Sequence, residues 1–228
     1  MTETLDRRSS VSPSDRPRPA RPGRAVRLAR IGALAAFTSA VLIWVSRLLE
    51  PSVHYVSQLG APSMATAPIF NPALLLLAAA AVLVDRALAV GRGRYVVGWP
   101  IALTLLVCGL SFGLASVVTC SPGCPVPFTE GALWQDTVHI AAAVLGFVLA
   151  IVAMAQVAAL RGRPWMRWGS IVTLVLVGVT SFTGAMLALF GGDTVLGGNL
   201  EFTAATLAIA WFGVFGLQVA ADEASLPA

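Results

Sequence analysis

Charge is what this chain of 228 residues has least of: 11% of it is Asp, Glu, Lys or Arg, against about 25% in an ordinary soluble domain. That shortage, with 57% hydrophobic residues and a mean hydropathy of +0.82, excludes a water-soluble globular domain. Lysine is absent, so all 15 basic residues are arginine. There is no P-loop, no G-x-G-x-x-G fingerprint and no H-E-x-x-H helix, and no G-x-S-x-G elbow surrounds Ser57. The phosphate-cradle, dinucleotide, zinc-protease and soluble serine-hydrolase readings therefore lapse. Cysteine is down to three residues and histidine to two.

What is present is apolar sequence in long runs. A helix needs about 20 mostly apolar residues to cross roughly 30 Å of hydrocarbon. Six stretches satisfy that, near 28–47, 67–88, 97–118, 137–159, 168–190 and 200–220. The expected fold is an all-α, six-helix transmembrane bundle over 28–220. An Arg/Pro/Ser-rich tail with little to bury, expected to be disordered, occupies 1–27, and 221–228 forms a short second tail. The first run is longer than the apolar core of a cleaved signal and lacks a small-residue cleavage pattern after it, so it reads as an uncleaved anchor.

Arginine placement predicts orientation. Eight arginines precede or enter the first run, three follow the second and three follow the fourth, leaving Arg47 alone at the opposite ends. Basic flanks stay in the cytoplasm, so both termini are expected there, with the chain multi-pass in the plasma (inner) membrane. Glu50, Glu130, Asp136, Asp193 and Glu201 then gather on the outer side beside that one arginine. The sequence pI near 9.6 thus reports topology and attraction to lipid headgroups rather than nucleic acid as a partner.

The longest polar interruption runs from Thr119 to His139. Cys120 and Cys124 bracket Ser121-Pro122-Gly123, and Pro-Gly favours a type II turn that brings the sulfurs together. A disulfide suits an oxidising outer face; zinc is the rival, since the spacing is one its ligands tolerate. Asp136 and His139 are three apart and share a helix face. A carboxylate there can orient an imidazole as metal ligand or general base; equally, Asp136 can serve the helix N-terminus and His139 can bond a loop carbonyl. His54 lies in the first outer loop. Were that loop to fold over the bundle, His54, His139, Asp136 and Glu201 could share zinc or another divalent ion. Gly109 and Gly113 stand at GxxxG spacing for close helix packing.

Two stretches, HYVSQLGAPSMATAPIFNPALLL from His54 and TCSPGCPVPFTEGALWQDTVHIAAAVLGF from Thr119, resemble the uncharacterised prokaryotic membrane proteins of domain of unknown function 998. The resemblance implies six spans and no established activity. It points at Ser57, Leu59 and Gly60 in the first loop, Asn71 at the second span and His139 at the fourth. The family pattern often places an arginine after an acid or amide before the last helix, whereas Phe202 follows Glu201 here.

The first functional expectation is a non-enzymatic membrane protein whose outer face forms a polar, acidic cup from loops 48–70, 119–136 and 191–199. Such a cup would bind a lipid headgroup, a cation or a partner protein. The second is a membrane-embedded hydrolase or transferase acting on lipid, metal-dependent or not, using His139 and Asp136. The third is a small-molecule transporter, for which no span buries a charge near its centre.

Overall fold

The computed structural model describes residues 23–90, 96–97, 99–160 and 163–226. Among the described residues six α-helices follow in order: α1 Arg24–Leu49, α2 Ala67–Val90, α3 Ile101–Val117, α4 Trp134–Ala159, α5 Pro164–Leu189 and α6 Thr194–Ala224. A 3-10 helix, Val56–Gly60, interrupts the first connection. Two-residue strands, Val96–Val97 and Trp99–Pro100, pair antiparallel just before α3. Five helices are long and apolar enough to cross a membrane, and α3 is a shorter apolar helix of 17 residues. The all-α membrane bundle is the fold. The tail expected over 1–27 lies outside the described residues up to 22, and α1 already begins at Arg24.

Local chemistry sets the helix ends. Pro164 starts α5 at a position where a missing N–H costs nothing. Asp193 caps α6, its side chain accepting from the Val195 and Leu196 N–H groups at 2.9 and 3.0 Å. Because of that cap, residues 194–199, expected as loop, are helical, and Glu201 sits about two turns inside α6. Pro72 is accommodated within α2, which starts at Ala67.

Each helix packs on its neighbour in sequence, and α6 closes the ring on α1. Small residues make the seams, as expected where lipid supplies no hydrophobic drive for association. Ala29, Ala33 and Ala36 of α1 are fully buried. A Cβ on Gly109 of α3 would stand 2.6 Å from the Ala81 Cβ and 3.1 Å from the Ala78 carbonyl, so α3 rests on α2 through bare backbone. Trp211 is buried between α6 and α5, its indole N–H donating to the Ser170 hydroxyl at 2.9 Å. Helix α5 buries only Met166, Ser170, Val177 and Gly184.

Candidate functional site

The connections α1–α2, α3–α4 and α5–α6 gather at one end of the ring, called here the cysteine-loop end. Cys120 and Cys124 form a disulfide there. Asp136, completely buried, organises the loop around it, accepting from the Ser121 N–H at 2.6 Å, the Ser121 hydroxyl at 2.8 Å and the Leu133 N–H at 2.8 Å. Its oxygens thus bind the loop and the start of α4. The imidazole of His139 is oriented by a different group, since Nδ1 donates to the Val118 carbonyl at 2.8 Å. A carbonyl can only accept, so in the neutral ring the proton is on Nδ1 and Nε2 carries the free lone pair.

Above the bundle lies the 3-10 helix, fastened from three directions. From α6, Glu201 accepts from the Val56 N–H at 3.1 Å and from the Ser57 backbone. From α2, the Asn71 amide donates to the Gly60 carbonyl at 3.0 Å. From the cysteine loop, the Gly123 carbonyl accepts from the Gln58 side chain at 3.0 Å. Leu59 is fully buried, and Thr66 donates to its carbonyl at 3.0 Å. A Cβ on Gly60 would collide with the Asn71 amide and come within 2.9 Å of the Phe70 ring. Leu59, Gly60 and Asn71 therefore form one joint between the first loop and α2.

Tyr55, just before the 3-10 helix, has its hydroxyl buried without a hydrogen-bond partner among the described residues. Burial holds it above the usual phenol range, and the carboxylates of Glu201 and Asp193 push the same way. The backbone carbonyl of His54 lies directly against Gly198 of α6, where no Cβ would fit. No group of three or more His, Cys, Asp or Glu side chains among the described residues can share a metal ion. His54, His139, Asp136 and Glu201 thus do not converge as one ligand set.

What does converge is a cavity. Its walls come from α2, α3, α4 and α6 with Ile43 of α1, and α5 contributes nothing. Counting the gaps between side chains and the open space at its edge, its empty volume is about 870 Å³. Its lining is apolar apart from Cys108, Ser57, His139 and Glu201, and the last three lie at the cysteine-loop end. Lining residues run from Phe70 to Ala81 on α2, from His139 to Ala150 on α4 and from Glu201 to Phe212 on α6. Eleven helical steps give a depth of about 16 Å, close to half the roughly 30 Å of a bilayer's hydrocarbon core.

Ser57, His139 and Glu201 are therefore brought to one space, Asp136 serves the loop beside it, and His54 meets α6 through its backbone. Sequence reasoning missed the cavity, whose floor is the buried Trp211 and Phe212. A G-x-S-x-G string does occur at Gly109–Gly113, but inside α3, with Ser111 donating to the Val107 carbonyl at 2.9 Å. It lacks the strand–turn–helix setting of a nucleophile elbow.

No curated protein and no solved structure matches the chain. A family model does, over residues 30–218, which takes in α2 to α5 whole, most of α1 and α6, and every cavity-lining residue. The chain belongs to that family, described as proteins of unknown function, DUF998.

Proposed function

We propose that this protein binds a membrane lipid, admitting an acyl chain to the cavity and holding the headgroup at the cysteine-loop end. In this reading that end faces outward in the plasma membrane and both termini are cytoplasmic. The observation that carries it is the shape of the cavity: one leaflet deep, apolar along its walls but for Cys108, with Ser57, His139 and Glu201 gathered at one end. An apolar slot with its polar groups gathered at one end matches the two-part character of a lipid.

Protein purified in mild detergent should carry lipid that survives size exclusion and is released by solvent. Filling the slot with Ala143→Phe or Ala205→Phe, at two lining positions, should lower the retained lipid at least about fivefold, since a phenyl ring takes the room of several methylenes. Equal lipid content in folded wild type and both variants would end the proposal.

One observation favours a second reading, lipid ester cleavage or acyl transfer. His139, whose Nε2 lone pair is left free, lines the same cavity as Ser57. A fluorophosphonate probe that labels Ser57 in the wild type but not in His139→Gln would support it. Failure to label leaves lipid binding alone.

A further inference from the structure

Arg47 ends α1 at the cysteine-loop end, and it is the only arginine the sequence places at that end. The described ion pairs are Arg86–Asp85 and Arg163–Asp222, and Arg47 enters neither. Its guanidinium lies over the Phe202 ring at 4.8 Å, and Nη2 reaches the Asn199 amide oxygen at 3.4 Å. Nη1 is buried and has no hydrogen-bond partner among the described residues. Guanidinium is charged at every physiological pH and presents its donors as a planar fork suited to phosphate. An unmatched donor of that kind, fixed by an aromatic face, calls for an anionic oxygen.

Its position says which anion. Ile43, one turn before Arg47 on the same face of α1, lines the cavity, and Phe202 beneath the guanidinium adjoins Glu201 at the cavity's polar end. Four helical residues put the Cα atoms of Ile43 and Arg47 about 6 Å apart along the axis of α1. The Glu201 carboxylate is turned to the Val56 and Ser57 backbone, so it does not neutralise Arg47.

We propose that Arg47, with Asn199, is a phosphate-binding subsite that selects phosphodiester lipids over uncharged ones. This rests on the lipid-binding reading above and names the lipid class. The shared chemistry is a phosphate oxygen, and the source proposed is a glycerophospholipid.

The test offers full-length protein matched micelles of phosphatidylglycerol or diacylglycerol with the same chains, and retained lipid is weighed by mass spectrometry. Wild type should keep phosphatidylglycerol about tenfold better, the ratio one charge-assisted pair supports. Arg47→Gln should bring the ratio near one while still retaining diacylglycerol, and Arg47→Lys should fall between, keeping the charge but losing the fork. Thermal unfolding of each variant confirms that it folds. If Arg47→Gln keeps the wild-type preference, or wild type shows none, the subsite falls while the cavity reading stands. If wild type retains neither lipid, the cavity reading falls. If inorganic phosphate alone abolishes modification of Arg47 by phenylglyoxal while phosphatidylglycerol does not, the site serves free phosphate and the lipid assignment is overturned.

Discussion

A single carboxylate can be read two ways from spacing, and Asp136 shows what decides between them. Spacing on the helix allows it to face His139, yet its oxygens are taken by Ser121 and Leu133, while Val118 holds the imidazole. Asp136→Asn should therefore destabilise the protein by about 1–3 kcal/mol through the loop and leave the ¹⁵N shifts of His139 in the Nδ1–H pattern. A change of tautomer in that variant would show that the carboxylate governs the ring after all. Tyr55 supplies an opposite case. Its hydroxyl is buried without a partner among the described residues, so Tyr55→Phe should cost nothing measurable or stabilise slightly in thermal unfolding. Because its folded-state pKa is raised, the folded state holds that proton longer than the unfolded chain. Stability is then intact below the unfolded phenol value of about 10 and falls as pH rises beyond it. Tyr55→Phe should soften that alkaline loss; an unchanged alkaline limb would sink the assignment. The sequence made Asp136 and His139 visible as candidates because polar residues are scarce, but hydrogen-bond partners across a loop leave no trace in spacing.

Six helices could be read from hydropathy because the bilayer demands long apolar runs, and each observed helix overlaps its expected span. The ends were harder. The start of α6 lies at Thr194, where Asp193 is a readable cap, but Gly197, Gly198 and Asn199 look like loop to any hydropathy window. Those glycines instead admit the first loop: Gly198 receives the His54 carbonyl. Gly198→Ala should push the first loop off α6 and lower the unfolding temperature in detergent, with a cost of about 1–3 kcal/mol for overpacking. Gly178, with open space around it, should accept alanine without loss, and a similar cost at both positions would contradict the packing described. At Gly109 the spacing pointed to the close approach the structure shows, whereas a Cβ on Gly113 would meet only an ordinary contact, 3.4 Å from the Ala78 Cβ.

Orientation belongs to the whole molecule. If arginine asymmetry sets it, a phosphatase fused after Ala228 should be inactive and a fluorescent protein at the same site should glow, with the reverse inside the cysteine loop; the opposite pattern would place the polar end of the cavity on the cytoplasmic side. Ring closure of α6 on α1 and the slot left among α2, α3, α4 and α6 could not be read from the chain. Hydropathy says that a segment prefers lipid, not which neighbour it chooses, and a cavity is a property of all the walls together. The roof over that slot is fastened to α6, to α2 and to the cysteine loop by separate hydrogen bonds. A long-chain guest approaching from the water would have to unfasten three anchors at once, whereas one already dissolved in the leaflet faces only side chains. If the lipid-binding proposal holds, entry would therefore be sideways, from the surrounding bilayer.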